Sequence, residues 1–175
     1  MTLHLCGQAK QGQTWREELC PGAVVLRGFA VPDETAIFAA LHSITTQAPS
    51  RHMVTPGGFR MSVAMTNCGA DGWVTDCTGY RYDAVDPETG KPWPRMPGVF
   101  LKLAQDAAAS AGFEGFALDA CLIDRYELGA RIMLAAGMDI VGKQTASLVV
   151  AEGDHMRACA SSPAVIDWRS ANPEP

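Results

Sequence analysis

The segment WVTDCTGYRY, residues 73–82, gathers three large aromatic side chains in a stretch otherwise rich in Gly, Asp and Thr. Trp73, Tyr80 and Tyr82 include one of the four tryptophans and two of the three tyrosines in this 175-residue chain. Aromatic faces can stack on other flat rings. The alternative is that the rings only anchor a loop. The segment therefore predicts either a stacking surface or a structural aromatic cluster.

A second group of candidate residues lies on ALDACLIDRYE, residues 117–127, whose pattern alternates as in a β-strand. One face of that strand would carry Leu122, Asp124 and Tyr126. The other face would carry Cys121, Ile123 and Arg125. A carboxylate and a phenol on an inward face would line a cavity.

Composition and charge describe the molecule that must position these residues. With 47% hydrophobic residues and no biased tract, the chain is expected to form one compact domain. The net charge of −5 excludes a general attraction to nucleic acid, so any such contact must be local. No apolar run approaches the ~18 residues of a membrane span, and no signal peptide is evident. We therefore expect a cytoplasmic protein without a membrane partner. The six cysteines have no metal-site spacing, which indicates reduced, structural thiols.

Local patterns predict several elements around the candidate residues. Asp33 can cap a helix that places Ile37, Leu41 and Ile44 on one face. A tight turn at Thr-Pro-Gly-Gly, residues 55–58, suggests the tip of a hairpin. The remaining predictions are a strand at 21–29, a strand in MSVAMTN, a loop over 86–98, a helix over 98–112 with Val99, Leu103 and Ala107 on its core face, and a strand at 145–152.

Three long strings of the sequence resemble one known family. These are HMVTPGGFRMSVAMTNCGADGW, the Tyr-Arg-Tyr of GYRYDAVDPETGKPWPRMP, and DACLIDRYELGAR. Together they resemble the AlkB family of DNA-dealkylating dioxygenases, which use Fe(II) and 2-oxoglutarate. The resemblance covers roughly residues 15–131, about two-thirds of the chain. It implies an α+β fold, with an N-terminal strand and helix layer and a nucleotide-recognition lid on a truncated double-stranded β-helix, or jelly roll.

The resemblance also implies roles for individual residues. Trp73, Tyr80 and Tyr82 match the residues that receive a flipped, alkylated base, which would also gain a cation–π contribution if it is cationic. The residues matching the recognition lid, which contacts the DNA backbone and flanking bases, are Thr55, Gly57, Gly58, Met61 and Ser62. Met65 and Leu122 would pack near the pocket, although a place in the core explains them equally well. The implied partner is single-stranded DNA or a flipped base, with RNA as an alternative, and the implied state is a monomer.

The part of the family pattern that binds the cofactors is altered in this chain. Tyr126 matches a 2-oxoglutarate contact, but Asp124 stands where the family has Asn. An amide can donate a hydrogen bond to the cofactor's carboxylate, whereas an ionised Asp would repel it. Ala135 and Gly137 occupy the positions of the family's H-x-D metal ligands, and only His155 follows Arg131. We therefore predict no catalytic residue and no metal ligand in this sequence.

The resemblance ends abruptly after Arg131. This suggests a hypothesis: residues 1–131 form the AlkB-like part, and residues 132–175 form a divergent segment that is frame-shifted or folds poorly. Asp139 matches a position that in some family members contacts the substrate base, and we interpret this match as a coincidence. Arg125 and Arg131 are interpreted as surface charges. Three functions remain open at this point. They are an impaired dealkylating dioxygenase, a metal-free module that binds nucleic acid, and a product without function.

Overall fold

The computed structural model describes residues 14–20, 23–126, 145–151 and 164–167. The described residues contain eight strands and two α-helices, with a short 3-10 turn at Val31–Asp33 before the first helix. In chain order these elements are β1 (Trp15–Cys20), β2 (Ala23–Arg27), α1 (Glu34–Gln47), β3 (Ala64–Gly69), β4 (Gly72–Asp76), β5 (Gly79–Asp83), α2 (Gly98–Ser110), β6 (Ala120–Tyr126), β7 (Thr145–Ala151) and β8 (Ala164–Asp167). This mixture agrees with the predicted α+β class.

The described strands form three small sheets. Their orders are β1-β2-β8, β3-β6-β7 and β4-β5. The pairs β1/β2, β3/β6 and β4/β5 are antiparallel, whereas β2/β8 and β6/β7 are parallel. The β3/β6 register places Asn67 opposite Leu122 and Met65 opposite Asp124. The β3/β6 pair therefore brings the predicted cofactor strand next to residues that precede the aromatic segment.

Both helices pack against one face of the β3-β6-β7 sheet. Helix α1 buries Ile37, Leu41 and Ile44, as its periodicity predicts, but the Asp33 side chain forms no capping hydrogen bond. Helix α2 buries Phe100, Leu103, Ala107 and Ala108, while Val99 is only partly buried. The sheet contributes Cys68, Cys121 and Ile123 to the same cluster. Burial of Cys68 and Cys121 agrees with the structural role predicted for the cysteines, whereas Cys77 is exposed.

A second core cluster lies beside the first and supports the candidate site. Its buried members are Ala48, Met53, Val63, Met65, Val74 and Trp93, with Met61, Trp73 and Leu122 packed against them. The alternation predicted for β6 is confirmed here, because Cys121 and Ile123 enter the first cluster while Leu122 contacts the second. We call this group the second cluster below.

Two predictions concern larger features of the chain. Neither helix in the described ranges is long and apolar enough to cross a bilayer. The predicted boundary after Arg131 lies outside the described residues, so the division into 1–131 and 132–175 stays a prediction. The predicted strand at 145–152 is confirmed as β7.

Candidate functional site

The aromatic segment forms an antiparallel hairpin, β4 and β5, that places its three rings on one face. The register sets Trp73 opposite Tyr82 and Thr75 opposite Tyr80. Because side chains alternate along a strand, these four residues point to the same side of the hairpin. The Trp73 and Tyr80 rings stack on each other diagonally, with centroids 5.7 Å apart and planes inclined by 24°. We call this face, formed by Trp73, Thr75, Tyr80 and Tyr82, the ring face.

The stacked Trp73 and Tyr80 rings form an open surface and leave no gap between them for a base. Ring atoms in contact lie about 3.5 Å apart, so a base sandwiched between two rings needs about 7 Å between their planes. The Trp73 and Tyr80 centroids are only 5.7 Å apart. Tyr80 is 50% exposed, and Trp73 and Tyr82 are half-buried. A flat ligand would therefore stack on an outer face of this pair instead of entering between its rings.

Asn67 fixes the backbone that carries the Trp73 ring. Its side chain is fully buried, and its amide nitrogen donates to the Trp73 carbonyl at 3.0 Å. The Trp73 amide in turn donates to the Asn67 side-chain oxygen at 3.0 Å. Two hydrogen bonds from one rigid amide thus satisfy both backbone groups of Trp73. The sequence interpretation did not assign this role, and the available signal was an amide at the end of the predicted strand MSVAMTN.

Trp93 supports the opposite face of the hairpin from the loop that follows it. Its indole nitrogen donates to the Asp83 carbonyl at 2.9 Å, and its ring is 5% exposed. The contact requires a glycine at position 72, because a Cβ on Gly72 would lie 2.4 Å from the indole ring. Since Gly72 pairs with Asp83, the indole covers the end of the hairpin where β4 begins and β5 ends.

Arg51 links Trp93 to the buried Asp86. The guanidinium lies 5.6 Å from the Trp93 ring centroid and binds both Asp86 carboxylate oxygens, at 3.0 and 2.6 Å. Burial alone would raise the pKa of Asp86, but the bonds from Arg51 and from the Glu88 backbone amide outweigh it and lower that pKa. Asp86 is 3% exposed, so the pair is an internal support for the hairpin rather than a surface charge.

The predicted turn at residues 55–58 is confirmed as a turn and lies at a hairpin tip. The Gly58 amide donates to the Thr55 carbonyl at 2.8 Å, and Gly58 has φ +80, which favours glycine. Val54 and Arg60 pair across the tip, and Phe59 beside it is 75% exposed. Gly57 and Ser62 are exposed, whereas the Met61 side chain packs on the second cluster. A role of this tip in DNA recognition stays a prediction.

Charged residues of the hairpin lie on the face opposite the rings. Arg81 contacts Asp76 at 2.9 Å and Asp83 at 3.6 Å. The hydrogen bond from Arg81, followed by bonds from Thr78, lowers the pKa of Asp76. These three charges pair with one another, so the ring face itself carries no ionised side chain from the hairpin.

Leu122 and Asp124, two of the three predicted cofactor residues, lie near the ring face. Leu122 and Trp73 pack on the same second cluster, and the half-buried Asp124 pairs with Met65 across the sheet. Tyr126 ends β6, and the position of its side chain is outside the description. The structure therefore brings Met61, Met65, Trp73 and Leu122 together, with Asp124 next to them in register.

The described part of the chain does not fit an Fe(II) centre. Within residues 14–20, 23–126, 145–151 and 164–167, no three His, Cys, Asp or Glu side chains are grouped to hold a metal ion. Ala135 and Gly137, at the positions of the family's metal ligands, lie outside those ranges, as do His155 and Asp139.

Proteins of known family are similar in sequence to most of the described part of this chain. A profile described as the 2OG-Fe(II) oxygenase superfamily matches residues 22–136. The chain is 49% identical over 127 residues to the alpha-ketoglutarate-dependent dioxygenase AlkB of Escherichia coli K12, covering 73% of this chain and 59% of that protein. The Salmonella typhimurium protein of that name is 50% identical over 125 residues, covering 71% and 58%. An AlkB homolog from Caulobacter vibrioides is 36% identical over 135 residues, covering 77% and 60%. The chain thus matches about three-fifths of the length of these relatives.

Proposed function

The chain belongs to the 2OG-Fe(II) oxygenase superfamily, whose cofactors are Fe(II) and 2-oxoglutarate, and on that basis we propose that it acts on alkylated DNA. The function class is oxidative demethylation of N-alkylated bases in alkylation repair. Within that class, this chain captures the damaged base on its ring face, and its own dealkylation step is impaired. The superfamily implies a jelly-roll fold, of which the described sheets would be one part.

The stacked Trp73 and Tyr80 rings carry the proposal. A base drawn out of a strand loses its stacking, and an aromatic face replaces that loss at about 1–3 kcal/mol per base. An alkylated base that carries a positive charge gains a further ~0.5–2 kcal/mol over the face of a tryptophan or tyrosine. Because Asn67 and Trp93 both form hydrogen bonds with the hairpin backbone, its rings are ordered before the ligand arrives. Binding should therefore favour an N-methylated cationic base over its neutral parent.

The charge of the molecule favours single strands as the partner. The net charge is −5, and the hairpin's arginine is already paired with Asp76 and Asp83. Phosphate contacts would then contribute little, and affinity would depend only weakly on salt. A base can be captured from a single strand without breaking base pairs. A site that binds mainly by stacking is therefore expected to favour single strands. RNA remains the alternative partner, and a monomer is the proposed state.

The proposed impairment rests on two features of the sequence. Asp124 would bring a carboxylate towards the carboxylate of 2-oxoglutarate, where an amide could instead donate a hydrogen bond. Ala135 and Gly137 replace the ligand pair, and neither side chain can bind a metal. The three strings that carry the resemblance end at Arg131 and the superfamily profile ends at residue 136, so we propose that the chain divides near these positions. With these features altered, the function that we propose for the ring face is to bind nucleic acid without catalysis.

Anisotropy of a labelled single strand containing one N1-methyladenine, a flat base with a positively charged ring, tests the proposal. Trp73→Ala and Tyr80→Ala should each weaken binding about 5- to 100-fold, the value of one lost stacking contact. Phe113→Ala is the matched control, because Phe113 is 42% exposed but lies outside the hairpin. Equal binding of methylated and unmethylated strands, or equal losses in all three variants, would contradict base capture on the ring face.

A further inference from the structure

Thr75 lies on the ring face and is the polar residue among the aromatic ones. It follows Trp73 by two positions on β4 and pairs with Tyr80 on β5. Its side chain must therefore point to the side that carries the Trp73 and Tyr80 rings. Thr75 is only 6% exposed, although Tyr80 directly opposite is 50% exposed.

The Thr75 hydroxyl is buried without a hydrogen-bond partner in the part of the chain that the structure describes. A buried hydroxyl of this kind destabilises the folded state, because it loses its bonds to water and gains none in return. Thr66 shows the ordinary arrangement: it is fully buried, and its hydroxyl donates to the Ala48 carbonyl at 2.7 Å. A buried, unpaired hydroxyl beside an aromatic surface is unusual in a folded protein and indicates a partner supplied by a ligand.

We infer that Thr75 is a specificity residue, whose hydroxyl bonds the edge of the flat ring that stacks on Trp73 and Tyr80. The ligand class is a heteroaromatic ring with a polar edge, such as a nucleobase, since a hydroxyl can donate to a ring nitrogen or carbonyl and accept from an amino group. Stacking alone accepts any flat ring, whereas this hydroxyl separates rings with polar edges from purely apolar ones. The inference rests on the proposed function and adds a selecting group to the same face.

Two opposite effects follow from replacing Thr75 by Val. The substitution keeps the shape of the side chain and its preference for a strand but removes the orphan hydroxyl. The folded protein should therefore be at least as stable as wild type in urea. Binding of the N1-methyladenine strand should weaken about five- to tenfold, the value of one hydrogen bond. Thr75→Ser, which keeps the hydroxyl, should bind within about twofold of wild type.

A second ligand isolates the hydrogen bond. A strand carrying a naphthyl group in place of the base offers ring faces without a polar edge, so Thr75→Val should leave its affinity unchanged. A loss of about five- to tenfold for N1-methyladenine with no loss for naphthyl would support the inference. Equal losses for both ligands, or no loss for either, would overturn it while Trp73-dependent binding still stands. If the wild-type chain binds neither strand, the proposed function fails together with the inference.

Discussion

Replacing Asn67 should loosen the ring face without touching any ring. The Asn67 amide is fully buried and makes two 3.0 Å hydrogen bonds with the backbone of Trp73. Asn67→Ala removes both bonds and leaves one N–H and one C=O without their partner. A typical net hydrogen bond contributes about 1 kcal/mol, and an orphaned buried group costs about 1–3 kcal/mol. The expected loss in the free energy of unfolding is therefore about 2–5 kcal/mol.

Asn67→Asp makes this prediction dependent on pH. In Asn67→Asp, a carboxylate oxygen replaces the amide nitrogen that donated to the Trp73 carbonyl. When this carboxyl is ionised, two hydrogen-bond acceptors face each other and repel. Burial raises the pKa of this carboxyl above its unfolded value of about 3.9. Its protonated form can donate to the Trp73 carbonyl and restore the bond. The restored stability should thus be fully present below the unfolded pKa near 3.9 and be lost as pH rises through the raised folded pKa.

Urea unfolding followed by far-ultraviolet circular dichroism measures both effects. Thr66→Val is the matched control, because Thr66 is also fully buried on β3 but its hydroxyl bonds Ala48 rather than Trp73. That control should lose about 1–3 kcal/mol with no change in binding of the methylated strand. Asn67→Ala within about 0.5 kcal/mol of wild type, or Asn67→Asp with no pH dependence relative to wild type, would show that these two hydrogen bonds do not stabilise the hairpin.

Two further predictions concern the supports behind the hairpin. Gly72→Ala should displace the Trp93 indole, which would lie 2.4 Å from the new Cβ, and cost about 1–3 kcal/mol by urea unfolding. Gly98→Ala is the control, because no atom lies within 4 Å of a Cβ at that position. It should leave the free energy of unfolding unchanged, and an equal loss there would mean that the Gly72→Ala effect does not come from Trp93. The pKa of Asp86 is lower in the folded state than in the unfolded chain, where it is about 3.9. The stabilisation from the Asp86–Arg51 pair is therefore fully present above about pH 3.9 and is lost as the pH falls through the lowered pKa. Asp86→Asn should therefore unfold about 2–4 kcal/mol more easily at pH 7 and show a flatter acid dependence, and an unchanged acid profile would contradict this.

Local sequence signals predicted the elements that depend on local chemistry. Helix α1 follows from an apolar periodicity, and the turn at 55–58 follows from Pro and Gly. Strand β6 follows from strict alternation, which the two core clusters confirm. These elements needed no information about distant parts of the chain.

Long-range contacts decided the features that the sequence did not predict. Strands β4 and β5 begin with Gly and end with Asp, which are weak strand formers, and their pairing is supported by Trp93 from a later loop. Strands β1 and β8 likewise depend on pairing with β2. The three rings of the site could be named from residue types alone. Their stacking and the burial of Thr75 depend on the hairpin register, which residue types do not specify.

Binding and turnover measured on one sample test the central claim most directly. The wild-type chain is titrated with the N1-methyladenine strand, and formaldehyde is then assayed after addition of Fe(II) and 2-oxoglutarate, with the Escherichia coli relative run alongside. We expect saturable, methyl-dependent binding that Trp73→Ala weakens by about 5- to 100-fold, with formaldehyde at the level of a protein-free blank. Formaldehyde release at the rate of the relative, or no methyl-dependent binding, would contradict it.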